Sequence, residues 1–381
     1  MAGKPVPLSQ AAARRIWLHA QRLDTAAPFG AGAAATPAAV RHLGYVQIDT
    51  INVVERCHHQ ILYTRIPDYQ RDHLRQAQSL DKSVFEYWTH ALSYIPTEDM
   101  RFFVRFMKRE ADGHSRFFDT VKRGDLQKVL GRIKRNGALT IRDIDDDELQ
   151  EKDHEWASRK PSKRALQLAF YRGVLTVSRR EGMLKTYELM TRHFGWERLP
   201  PPAAEAERTN YLLERGLRAQ GVVSLDSICH LDAPRKAAIA SLIGRRVRRS
   251  ELVPVALEGS RHAHWALPEL LEARFAPLDE IVHILNPFDP LVIQRKRLAA
   301  FFGYEHRFEA YLPKQKRVFG YFAQPVLVGD EIVAVLDLKT DRERGKLLVQ
   351  KWTWLRKDGR AARRRLIEEA LHRFEQFQLA R

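Results

Sequence analysis

The chain has 381 residues, 44% of them hydrophobic and 29% charged, which is material for several buried cores and excludes a disordered chain or one small domain. Lys and Arg number 64 against 47 Asp and Glu, a formal charge of +17, so a polyanionic partner is expected, nucleic acid being the commonest. Cys57 and Cys229 stand far apart with no C-x-x-C, which leaves no disulfide framework, zinc cluster or iron–sulfur motif, and neither a membrane-length apolar run nor a leader-like N-terminus is present, so the expected location is the cytoplasm, at the nucleoid.

In chain order, the apolar spacing of Ala11, Ile16, Leu18, Ala20 and Leu23 predicts a helix over 9–23. An Ala/Gly/Pro loop follows, and Thr36-Pro37 reads as the capped start of a short helix. Val54, Cys57, Ile61 and Leu62 predict a helix over 54–65. "SVFEYW" and "ALSYI" read as short strands, and Thr97 with Glu98 and Asp99 as the start of a further helix.

Three segments then share one pattern: "GYVQIDTI" from Gly44, "GALTIRDI" from Gly137 and "GVVSLDSI" from Gly221. Each follows a basic helical stretch. In the second and third, a hydroxyl (Thr140, Ser224) stands where a second helix would begin and can cap its free N–H groups. Downstream of those two come a basic helix ("PSKRALQLAFYRG"; "PRKAAIASLIGRRVRR") and a pair of strands about a Glu-Gly turn. Helix, turn, helix and hairpin make a winged helix. The expected fold is therefore mostly α with small β-sheets: three tandem winged-helix units (1–110, 111–200, 201–280), then a C-terminal antiparallel β-domain (281–381). In that last part 289–301 reads as a helix, "HRFEAYLP", "RVFGYFAQPVLV", "EIVAVLDLKT" and "KLLVQKWTWL" as a four-stranded meander, and the rest as a terminal helix.

Tandem winged helices on so basic a chain suit duplex DNA, with a helix in the groove and a wing on the backbone. Lys163, Arg164 and Arg172 are candidate contacts, as are Arg245, Arg246, Arg248 and Arg249. Lys314, Lys316 and Arg317 fall on an expected hairpin tip flanked by aromatics, placed to grip phosphates or to solubilise a turn.

The first copy departs from the other two. Gln47 replaces the capping hydroxyl, and Asp49 stands two residues on, where the other copies carry Arg142 and Asp226. One reading makes Asp49 a helix-start carboxylate opposing the helix dipole. The other makes the pair a site, because a poor cap breaks a local rule without local gain. A carboxylate is charged at neutral pH; it can steer a water and stabilise an oxocarbenium-like state, while an amide holds the water or the sugar.

"VQIDTINVVERCHHQILYTRIPDY", "FEYWTHALSYIP" and the stretch from Tyr304 through "RVFGYFAQPVLVGDEIVAVLDLKTDRERGKL" resemble the YcaQ/AlkZ-like winged-helix DNA glycosylases, over essentially the whole chain. That family's motif is Gln-apolar-Gln or Gln-apolar-Asp; Gln47-Ile48-Asp49 has the second form and resembles the YcaQ branch. The resemblance implies a DNA glycosylase, and with no lysine beside the motif to form a Schiff base the expected enzyme is monofunctional, metal-independent and cofactor-free. It would excise cationic N7-alkylguanine from damaged double-stranded DNA and unhook alkyl interstrand crosslinks, with Gln47 and Asp49 as catalytic residues and no obligate protein partner. Arg56, His58, His59, Arg65, Glu86 and His90 are candidates to line the site, with packing roles open for the histidines, and Trp88 reads as core. Two rival readings remain: a non-catalytic winged-helix regulator, and a metal-dependent nuclease using the acidic run 143–155, whose plainer reading is a solvated loop.

Overall fold

The structure, a computed structural model, describes residues 4–111, 118–144, 149, 158–277 and 280–380. Most of the acidic run 143–155 lies outside them. The chain is mostly helical with small sheets, and it divides into two compact units. One joins Met1–Arg71 to Thr209–Arg381; the other is Asp72–Arg208. This is a coarser division than the four expected parts, and its two boundaries fall inside the first and the third of them.

In the discontinuous unit, Ser9 caps the helix Gln10–Ala20 by accepting the Ala12 N–H at 3.2 Å. Ala13, Ile16, Trp17 and Ala20 form its buried face. Trp17 packs edge-on to Phe301 (ring centroids 5.0 Å apart) of the helix Arg295–Phe302, within a core that includes Leu291, Leu298, Leu327 and Val335. The strand Val6–Leu8 pairs in parallel with Val253–Leu257, which pairs antiparallel with His264–Ala266. The C-terminal sheet runs Val282–Ile284, Ala323–Val328, Glu331–Asp341, Lys346–Trp354, each antiparallel to its neighbour. The helix Arg360–Leu379 buries Ile367, Ala370, Leu371, Phe374 and Phe377, a 3–4 residue spacing that gives it one apolar stripe.

Several expected boundaries move, each for a local reason. The meander has four strands, but its first is Val282–Ile284 and not 306–313. Glu309 explains this: its carboxylate accepts the backbone N–H groups of Val318 (2.8 Å), Phe319 (2.7 Å) and Gly320 (3.1 Å), closing 309–320 into a loop with one 3-10 turn, Lys314–Lys316. Lys314, Lys316 and Arg317 thus sit on a side-chain-braced loop, not on a β-hairpin tip. The helix expected over 289–301 starts at Arg295, because Asp289 turns the chain first by accepting the Leu291 N–H at 2.9 Å. The 54–65 helix is only Cys57–Tyr63. The helix near Thr36 spans Ala35–Leu43 and has no side-chain cap; Thr36 is buried inside it. Thr97 does not cap either: its hydroxyl donates to Lys82 O (2.7 Å), and a 3-10 turn precedes the helix Arg101–Ala111.

In the continuous unit, Val84–Trp88 and Leu92–Pro96 form the expected hairpin. The second repeat follows the expected order: helix Arg123–Asn136, strand Leu139–Thr140, a 3-10 turn Ile141–Asp143, helix Pro161–Tyr171, then the hairpin Leu175–Glu181 with Leu184–Leu189, whose second strand also pairs with Leu139–Thr140. The third repeat, in the discontinuous unit from Thr209 on, repeats that order with helix Glu205–Gln220, helix Leu225–Ile228, helix Lys236–Arg248 and the pair Val253–Leu257 and His264–Ala266.

Candidate functional site

Gly44 ends the helix Ala35–Leu43 in the left-handed region (φ 78), its N–H donating to Val40 O at 2.8 Å. A Cβ there would stand 2.5 Å from the Arg215 side chain, so conformation and space both ask for glycine. The chain then extends through Val46–Gln47, with Val46, Gln47 and Ile48 all buried. Asp49 emerges half-buried. Its Oδ1 accepts the Ile51 N–H at 2.8 Å, closing an Asx turn, and among the described residues its Oδ2 accepts no hydrogen bond.

The three repeats separate at this point. Thr140 Oγ1 accepts the Arg142 N–H (3.1 Å) while Asp143 reaches back to the Thr140 N–H (2.6 Å). Ser224 and Ser227 make the same reciprocal cap on Leu225–Ile228. After Gln47 no helix begins until Cys57. Asp49 therefore has no helix dipole to oppose, whereas Asp226 lies in a first helical turn and pairs with Lys236.

The turn is held on both sides. On one, the Cys57 thiol donates to Gln47 O (3.0 Å); burial, and then the Asp49 charge, push that thiol well above its ordinary pKa, so it stays a neutral donor. On the other, the carbonyls of Val53 and Val54 accept from Thr340 and Arg342, and Glu55 pairs with Arg71. This explains the late start of the Cys57–Tyr63 helix, since the carbonyls that would open it are already bound elsewhere. Arg71 also donates to the last carbonyls of the terminal helix, Phe377 O, Gln378 O and Ala380 O.

Near the turn, Arg56 is half-buried and occupies the cap position of the Cys57–Tyr63 helix. His58 is buried, its ring 4.3 Å from that of half-buried His59. His59 Nδ1 lies 2.7 Å from the Tyr69 hydroxyl; burial, then Arg71 and Arg56, hold its pKa down to about 3, so it is neutral at working pH. Arg65 belongs to the interior rather than to a DNA-facing surface. It is 1% exposed, makes a bidentate pair with Asp289 (2.8 and 3.0 Å) and donates to Gln21 and to Ile61 O. The loop carrying Lys314, Lys316 and Arg317 also exposes Tyr311, Leu312 and Val318, and the Arg317 guanidinium stacks 4.8 Å over Tyr321.

In the continuous unit, Glu86 is likewise interior. It is fully buried between Arg180 (2.5 and 2.6 Å) and Gln78 (2.9 Å); burial works to raise its carboxyl, and the Arg180 charge and hydrogen bonds outweigh that and hold it below the ordinary value. Arg164 is buried too, while Lys163 is exposed and Arg172 half-buried. His90 sits half-buried at the hairpin tip beside Thr89. Trp88 is not core: it is 39% exposed and lies on Tyr171, ring centroids 5.6 Å apart.

Sequence reasoning did not single out Thr340, Arg342, Glu55 or Arg71. Only their partners give them meaning, and those partners of Thr340 and Arg342 lie 286 to 290 residues away in the chain. Among the described residues no group of three His, Cys, Asp or Glu side chains could hold a metal ion, and no helix is long and apolar enough to cross a membrane.

The model of the family described as DNA glycosylase AlkZ-like matches residues 40–377. Among solved structures, the DNA glycosylase AlkZ of Streptomyces sahachiroi superposes with a TM-score of 0.63 at 17% identity, covering 98% of this chain and 97% of that one. The likeness extends through both units, so the fold is that of AlkZ. The family match covers the Gln47–Asp49 turn, both repeats that follow it and the C-terminal sheet; the chain belongs to the AlkZ-like DNA glycosylase family.

Proposed function

We propose that this DNA glycosylase hydrolyses the N-glycosidic bond of cationic N7-alkylguanine in duplex DNA, unhooks alkyl interstrand crosslinks and needs no metal. The observation that carries this reading is the Asp49 turn: a carboxylate with one oxygen pinned by its own backbone and the other accepting no hydrogen bond among the described residues, two residues from a buried glutamine. N7-alkylation puts a positive charge on guanine, so the base leaves without being protonated. As the C1′–N9 bond breaks, its electron pair moves to N9 and neutralises the ring. The sugar becomes an oxocarbenium-like cation. Asp49 stabilises that charge and accepts a proton from the water that attacks C1′, while Gln47 holds the water or the sugar. The products are a neutral alkylguanine and an abasic site.

The repeats act as tandem winged helices on the duplex, with Lys163, Arg172, Lys314, Lys316 and Arg317 as phosphate contacts. Arg65, Glu86 and Arg164 drop out of that set because they are buried. A crosslinked base stays tied to the opposite strand, so deep extrusion into a closed pocket is unavailable to it, and a reacting turn at the surface suits it. The test is a nitrogen-mustard-crosslinked duplex incubated in EDTA, followed by alkali and a denaturing gel. Unhooking and strand cleavage at abasic sites are expected from the wild type and not from Asp49→Asn. An intact crosslink, or activity that EDTA abolishes, would refute the proposal.

A further inference from the structure

We propose that Thr340 and Arg342, at the end of the sheet strand Glu331–Asp341, are positioning residues for the reacting turn, an inference that rests on the assignment of Asp49 as the reacting carboxylate. Between Ile48 and Arg56 the chain has no helix and no strand of its own. A turn of that kind holds a side chain loosely unless something outside it fixes the backbone.

The fixing groups come from the C-terminal sheet. The Thr340 N–H donates to Val53 O at 2.9 Å, which extends the strand's hydrogen bonding onto the loop. Arg342 Nη2 donates to Val54 O at 2.9 Å, and the Thr340 hydroxyl lies 3.1 Å from the same carbonyl, its one proton shared between that oxygen and Gln378 Oε1. Arg342 Nη2 also donates to Asn52 Oδ1 at 2.9 Å, so one guanidinium spans the residues third and fifth after Asp49. The next residue, Glu55, is tied through Arg71 to the end of the terminal helix. With Cys57 on Gln47 O at the other side, the segment is pinned at 47 and again at 52–55, and Asp49 projects between the pins.

A shift of about 1 Å in a reacting group costs on the order of a hundredfold in rate, so releasing one pin should slow the bond-breaking step and leave DNA affinity alone. The experiment measures single-turnover release of N7-methylguanine from a duplex carrying one such base, the Kd for that duplex and the thermal midpoint. Wild type is compared with Arg342→Ala, Arg342→Lys, Thr340→Val, Asn52→Ala and Asp49→Asn. Arg342→Ala is expected to lower the rate about ten- to a hundredfold, with Kd within about threefold. Thr340→Val and Asn52→Ala, which remove single bonds from opposite ends of the contact, should lower it by less. Arg342→Lys, which keeps the charge but not the planar fork, should recover only part of the rate. Wild-type rates in Arg342→Ala, with Asp49→Asn inactive, overturn the positioning role and leave the function standing. A rate loss that saturating DNA restores makes Arg342 a DNA contact and also overturns it. Asn52→Ala leaves Arg342 and Thr340 in place, so a normal rate there, alongside a lowered thermal midpoint in Arg342→Ala, reduces the contact to fold stability. An active Asp49→Asn overturns the function itself.

Discussion

The turns that begin at Gln47 and at Ser224 occupy the same place in a repeated pattern and do opposite things. At Ser224 the polar groups are committed locally: two serines cap each other's N–H groups, and Asp226 is paired with Lys236. At Gln47 the cap is gone, the helix does not form, and among the described residues one oxygen of the Asp49 carboxylate accepts no hydrogen bond. The backbone groups freed by losing the helix are satisfied from a distance, by Cys57, Thr340 and Arg342. A turn that satisfies itself is autonomous and chemically idle. One satisfied by the rest of the fold can hold out a reactive group.

The contrast can be broken most sharply at Asp49. Asp49→Asn should lower excision of N7-methylguanine by roughly a hundred- to a thousandfold while duplex affinity stays within a few-fold; retained activity would erase the distinction between the two turns. Gln47→Ala should follow, with a loss of about ten- to a hundredfold read in the same single-turnover assay. Ser224→Ala should leave excision unchanged and cost about 1 kcal/mol in denaturant unfolding, since it removes only a cap. The smallest effect belongs to Asp226→Asn. The Lys236 hydrogen bond holds the Asp226 carboxyl below its ordinary pKa. A lowered folded-state pKa stabilises above the unfolded value, and that gain is lost as pH falls through the folded one. The wild-type thermal midpoint should therefore approach that of Asp226→Asn as the pH drops below the usual carboxylate range, by a small margin at so exposed a pair.

The pattern of apolar residues made the helices, the repeat order and the C-terminal meander legible in the sequence. What misled was polar chemistry acting over distance. Glu309 replaced an expected strand with a loop by binding three N–H groups, and Asp289 delayed a helix by turning the chain beneath Arg65. Arg65 and Glu86 read as candidate contacts because a charged residue in a linear sequence carries no sign of burial; each turned out to be half of a buried pair whose partner lies 224 or 94 residues away. The departure of the Gln47 turn from its two counterparts was legible for the opposite reason. The peculiarity is local, and two regular copies of the same turn were there to measure it against.

The pinning of the Asp49 turn also has a consequence for synthesis. The segment Asp72–Arg208 is continuous, so all its partners within that unit are translated before Thr340 and Arg342 are. The other unit is not: the strand Val6–Leu8 waits for Val253–Leu257, and the carbonyls of Val53 and Val54 wait for Thr340 and Arg342. The Gln-Ile-Asp motif is translated well ahead of Thr340 and Arg342, so its geometry is set only once those residues have followed it. A nascent or prematurely terminated chain can carry the motif and the basic helices without the bonds that aim the carboxylate. On the proposed mechanism, such a chain would reach DNA without the pinned turn that the excision calls for.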